Sequence, residues 1–123
     1  MAHILVIDVE ENVRLLVAAI LKHQGHKVTQ ADNGKTGMAA FRHAAPDLVI
    51  TDLVMPEQEG VETILQLRRE NPSLPVIAMS GGVARSETYL DICRRLGVRA
   101  TLSRPFGVKE LLDAVKPSLP AES

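Results

Sequence analysis

Five short apolar runs alternate along the chain with five stretches in which apolar residues recur at helical spacing. The runs are His3 to Ile7, Lys27 to Ala31, Leu48 to Thr51, Pro75 to Met79 and Ala100 to Ser103. Glu11 to His23 brings Val13, Leu16, Val17, Ile20 and Leu21 onto one helical face, and Gly25 is its stop. Lys35 to His43 reads as helix after the Asn33-Gly34 turn. Val61 to Glu70, with Ile64, Leu65 and Leu67, reads as another. Pro56 and Gly60 punctuate a loop before it. Ser86 is placed to cap a helix running to Leu96, and Val108 to Val115 forms the last, with Leu111 and Leu112. Strands that read as unbroken apolar runs are covered on both faces, as in parallel sheets. Right-handed crossovers then put helices on both sides. The pattern predicts an α/β fold: (βα)5, doubly wound around a five-stranded parallel sheet.

In such a sheet the site lies beyond the carboxyl ends of the strands. That rule selects Asp8, Asp52, Ser80 and, just past the fifth strand, Arg104. Two neighbouring carboxylates repel one another and raise a pKa unless a cation lies between them. Carboxylate oxygens with an open position suit Mg²⁺, which takes one or two carboxylates plus phosphate oxygens. Arg104 could neutralise a phosphoryl group and Ser80 could hydrogen-bond it. The bland alternative is that the two aspartates only cap loops or helices.

Composition narrows the classes. A chain of 123 residues, 46% apolar and 24% charged, suits one globular domain. A net charge of −1 argues against duplex DNA as the main partner. The only rings are Phe41, Tyr89 and Phe106, too few to stack single-stranded nucleic acid. The longest apolar run, Leu15 to Leu21, is too short for a membrane span, and no signal peptide precedes it. The single cysteine, Cys93, falls in the apolar phase of its helix and is expected in the core. A cytoplasmic setting is therefore expected. Gly34-Lys35-Thr36 imitates the end of a P-loop, but Thr29 stands where the earlier glycine is required. His3, His23, His26 and His43 lack metal-ligand spacing. A flavin phosphate would be repelled by Asp8, Glu10 and Glu11 in the first loop. Asp8-Val9-Glu10 resembles only faintly the nucleophile motif of haloacid-dehalogenase-type phosphatases, without a downstream acidic pair or cap domain.

Four segments in order resemble two-component response-regulator receiver domains of the single-domain, chemotaxis-regulator-like kind. Pro46-Asp47-Leu48-Val49-Ile50-Thr51-Asp52-Leu53-Val54-Met55-Pro56, closing with Gly60, is similar to the phosphoacceptor segment. Ile4 to Asp8 with Arg14, Val76 to Gly81, and Leu102 to Phe106 are similar to the first strand, the fourth strand and the segment after the fifth. The resemblance covers about residues 3 to 117. It implies a flavodoxin-like fold with strand order 2-1-3-4-5 and a phosphoryl group passed from a histidine kinase or histidine phosphotransferase to Asp52. It implies a divalent metal held by Asp8, Asp52 and the Val54 backbone carbonyl. Ser80 would be the switch hydroxyl, with Gly81 leaving room for the phosphoryl group.

Three positions depart from the family. Val9 replaces the second acid of the first loop and cannot ligate a metal; Glu10 lies one step beyond the ligand position. Losing even an outer-sphere partner costs roughly 10–100-fold in metal affinity, so weak Mg²⁺ binding and slow phosphorylation are expected. Arg104 stands at the usual Lys, where it could hold phosphate or lie across Asp52. Thr101 stands where the family commonly has a moving ring, so coupling to the fourth helix and fifth strand is expected to differ. These departures leave a rival reading, a phosphorylation-independent adaptor. Residues 1–123 are expected to be one receiver without an output module, signalling by protein–protein contact without being an enzyme. Residues 85–109 carry Arg85, Arg94, Arg95, Arg99, Arg104 and Lys109 against Glu87 and Asp91, a face suited to an acidic protein target.

Overall fold

The computed structural model describes residues 2–53, 59–80 and 87–119; the side chains of residues 59 and 87–90 lie outside the description. The elements are β1 (His3–Ile7), α1 (Glu11–His23), β2 (Lys27–Ala31), α2 (Gly34–His43), β3 (Leu48–Asp52), α3 (Glu59–Glu70), β4 (Val76–Ser80), α4 (Glu87–Arg95), β5 (Ala100–Ser103) and α5 (Val108–Ser118). All strand pairs are parallel, and the sheet order is β2-β1-β3-β4-β5, as expected.

The apolar runs split between two faces because successive strand side chains point oppositely. Ile4, Val6, Leu48, Ile50, Ile77 and Met79 pack with Val17 and Leu21 of α1 and Leu111 and Val115 of α5. Leu5, Ile7, Val49, Val76 and Ala78 pack with Met38 and Phe41 of α2, Ile64 and Leu67 of α3, and Cys93 of α4. A run that is apolar at every position is thus buried on both sides, and the three central strands are the deepest part of the molecule. Cys93 and Phe41 are core residues, and burial pushes the Cys93 thiol pKa up.

Local chemistry sets the helix ends. Gly25, with φ of 92°, follows α1 and donates to the Lys22 carbonyl, a left-handed step that glycine makes without strain. Asn33 Oδ1 accepts from the Thr36 amide at 2.8 Å while Thr36 Oγ1 accepts from the Asn33 amide, a reciprocal cap for α2. Gly34-Lys35-Thr36 is therefore the first turn of a capped helix. α5 runs beyond the expected Val115, carrying Pro117 in its last turn, and Ser118 Oγ donates to the Ala114 carbonyl at 2.8 Å. The Ser86 cap lies outside the described residues.

Candidate functional site

Sheet register builds the rim. Ile7 pairs with Thr51, so Asp8 follows β1 just where Asp52 closes β3. Asp52 pairs with Met79, bringing Ser80 level with the same edge, and Ser80 pairs with Ser103. The Arg104 amide donates to the Ser80 carbonyl at 2.8 Å, extending the ladder by one bond. The Arg104–Pro105 peptide bond is cis. From that anchor the Arg104 side chain crosses the sheet edge toward β3 and β1.

Its guanidinium collects the acids of the rim. Nη2 donates to Asp52 Oδ2 at 2.9 Å, and Nη1 donates to Glu10 Oε1 at 2.9 Å. Nη1 also lies 3.5 Å from Asp8 Oδ2, an ion-pair separation beyond hydrogen-bond length. Asp52 is 1% exposed and Asp8 0%, whereas Glu10 is 63% exposed. The Asp8 Oδ1 oxygen accepts from the Glu10 amide at 2.8 Å, and Arg14 Nη1 donates to the Asp8 carbonyl at 2.8 Å. Asp8 Oδ2 is buried without a hydrogen bond, as is Arg104 Nε. Burial, reinforced by the Asp52 charge, raises the Asp8 pKa from 3.8 to about 6, against the opposing pull of the Glu10 amide and Arg104.

The expected residues therefore reach one edge: Asp8, Glu10, Asp52 and Arg104 in direct contact, and Ser80, buried, at the neighbouring strand end. Thr101 is exposed on β5 opposite Ala78. The Val54 carbonyl, Met55-Pro56 and Gly81 lie outside the described residues. Gly60 acquires a reason: a Cβ there would stand 2.5 Å from the Asp52 carbonyl oxygen and 2.6 Å from that of Leu53, so only glycine lets α3 start this close to the end of β3. Sequence reasoning missed that Glu10 turns to Arg104; its side chain makes no capping bond to α1 although it stands at the N-cap. Beside the rim a cavity of about 460 Å³ is lined by Glu10, Val13, Leu16, Arg104, Pro105 and Phe106.

A resident divalent metal fits this rim poorly. Val9, at the position of a further acid, is 50% exposed and offers no ligand. Among the described residues no group of three or more His, Cys, Asp or Glu side chains is placed to hold a metal ion. Asp52 Oδ2 already faces a cation, the guanidinium.

Residues 4–116 match the family model described as the response regulator receiver domain. The protein PilH of Pseudomonas aeruginosa is 33% identical over 117 residues, covering 94% of this chain and 95% of that protein. Sporulation initiation phosphotransferase F of Bacillus subtilis is 29% identical over 121 residues, covering 98% and 95%. Other relatives are longer: the chain spans 46% of the probable transcriptional regulatory protein TcrX of Mycobacterium tuberculosis and 26% of the regulatory protein AtoC of Escherichia coli. Among solved structures, the receiver domain of NtrX from Brucella abortus superposes with a TM-score of 0.88 at 30% identity, covering 97% of this chain and 99% of that one. The chemotaxis protein CheY4 of Vibrio cholerae gives 0.90 at 25% identity, with the same coverage.

Proposed function

This chain belongs to the response-regulator receiver family, and from that premise we propose that Asp52 accepts a phosphoryl group from the phosphohistidine of a histidine kinase or phosphotransferase. Receiver domains are signalling modules of two-component systems and phosphorelays, phosphorylated on aspartate. The observation that carries the proposal is Asp52 itself, buried at the end of the central strand β3 and fixed beside Asp8 by register. A carboxylate oxygen of Asp52 forms the new bond to phosphorus while the phosphorus–nitrogen bond breaks. The leaving imidazole keeps the electron pair and takes up a proton. Arg104, within hydrogen-bond reach of Asp52, balances charge on the transferred group, and Ser80 supplies the hydroxyl that reads the phosphorylated state.

Receiver domains generally bind Mg²⁺ at their acidic pocket. Here the binding is weak, because Val9 removes a carboxylate from the site. A cytoplasmic setting suits this role, and the match covers nearly the full length of PilH and of phosphotransferase F. No described helix is long and apolar enough to cross a membrane. Its output passes by contact of the 85–109 region with a protein target, where Arg94, Arg95 and Arg99 are exposed, rather than by binding nucleic acid.

Incubation with acetyl phosphate and Mg²⁺, followed by intact-mass measurement, tests the acceptor. The wild type gains one phosphoryl group and Asp52→Asn gains none; an unmodified wild type, or equal adducts on both, overturns the proposal. The Arg104–Asp52 ion pair favours a second reading, a phosphorylation-independent adaptor. Under that reading the Asp52→Asn variant keeps full affinity for its protein target and the wild type takes no phosphoryl group.

A further inference from the structure

Arg104 does more than stand near the acceptor. Its backbone is tied to β4 through the Ser80 carbonyl, so the base of the side chain is fixed relative to the strand beside Asp52. Its planar fork reaches three acids of the rim at once among the described residues: 2.9 Å to Asp52, 2.9 Å to Glu10 and 3.5 Å to Asp8. The side chain is only 16% exposed, so these pairs are largely shielded from solvent. Among the described residues another guanidinium, that of Arg14, donates to the Asp8 backbone carbonyl and to Gln30.

We propose that Arg104 is the built-in cation of this acidic rim, and that a divalent metal binds Asp8 and Asp52 only by displacing it. The inference rests on reading the rim as a receiver's acidic pocket, but does not depend on whether Asp52 is phosphorylated. The oxygens that face the guanidinium, Asp52 Oδ2 and Asp8 Oδ2, are carboxylate oxygens of the kind Mg²⁺ takes. Mg²⁺ holds carboxylate oxygens at about 2.0–2.1 Å in a near-octahedral shell. Asp52 Oδ2 is already bonded to Nη2, and the buried, hydrogen-bond-free Asp8 Oδ2 has Nη1 as its ion-pair partner. An ion bridging both oxygens would meet the guanidinium at contact distance, with like charges in a poorly solvated site. A flexible ammonium would withdraw as a point charge. The planar fork, engaged by two nitrogens, must give up several bonds together.

The test is Mg²⁺ titration of the full chain by calorimetry and by the Arg104 Nε–H NMR signal, with wild type, Arg104→Gln and Arg104→Lys. Arg104→Gln is expected to bind Mg²⁺ at least about tenfold tighter than wild type, with Arg104→Lys between them. In the wild type, the Arg104 signal should shift in step with metal occupancy, because ion pair and metal exclude each other. Equal affinities in wild type and folded Arg104→Gln overturn the proposal. So does saturation of the wild type with the Arg104 signal unmoved, a result that stands even if both variants fail to fold. No phosphoryl donor is present, so failure here is distinct from failure of phosphoacceptance at Asp52.

Discussion

Substituting Asp8 by Asn should stabilise the fold near neutral pH and abolish part of its pH dependence. Asp8 is fully buried, and its carboxyl titrates at about 6 against 3.8 when unperturbed. A shift of about 2 units corresponds to about 3 kcal/mol. The pKa is higher in the folded chain, so the folded state holds the proton more tightly. The associated stability is complete below about pH 4 and is lost as pH rises through 6. Between pH 7.5 and pH 4.5 the wild type should gain about 2 kcal/mol from this one group. Asn at position 8 cannot ionise, yet keeps an oxygen for the Glu10 amide, which Asp8 now serves at 2.8 Å. Against this, Arg104 Nη1 loses a carboxylate at 3.5 Å. The expected net gain for Asp8→Asn at pH 7.5 is therefore about 1–3 kcal/mol, shrinking by about 2 kcal/mol at pH 4.5. Urea denaturation followed by far-ultraviolet circular dichroism is the suitable assay, since the chain has no Trp. The wild-type-minus-variant difference cancels the other groups that titrate in the window. A difference that is the same at both pH values would refute the reasoning. So would a variant less stable than wild type at pH 7.5, which would mean that Arg104 outweighs burial.

Other consequences follow from particular contacts. Gly60→Ala places a methyl 2.5 Å from the Asp52 carbonyl oxygen, backbone that cannot swing aside, and should cost about 1–3 kcal/mol in urea denaturation while slowing acetyl phosphate labelling of Asp52. Arg68 Nε donates to the Leu96 carbonyl at 2.8 Å, its Nη2 to that of Gly97 at 2.7 Å, and its Nη1 to that of Leu74, tying α3 to the end of α4. Arg68→Ala should cost about 2–3 kcal/mol, with Arg68→Lys recovering less than half because an ammonium cannot fork across three carbonyls. Equal stability of the Lys variant and wild type in the same denaturation would show that charge alone suffices.

The (βα)5 order is legible in the chain because the two apolar rhythms are distinct. Runs such as Leu48-Val49-Ile50 are buried on both faces, while α1 repeats its apolar residues at helical spacing. Asp8, Asp52, Ser80 and Arg104 are legible too, since each lies at or just past the carboxyl end of a strand. Helix ends were less so. α5 runs through Pro117, where local punctuation argues for an earlier stop; the added residues bury Ser118, whose Oγ donates to the Ala114 carbonyl. What only the tertiary structure decided is which partner each polar side chain takes. Arg104 meets Asp52 across 52 positions and Glu10 across 94, through a strand register that no local pattern encodes. The alternatives for such a side chain, phosphate, solvent or carboxylate, differ by only a few kcal/mol, and burial at the sheet edge sets the balance. Residue types at strand ends fixed where chemistry would gather. The fold determined that the gathered acids already hold a cation of the chain's own.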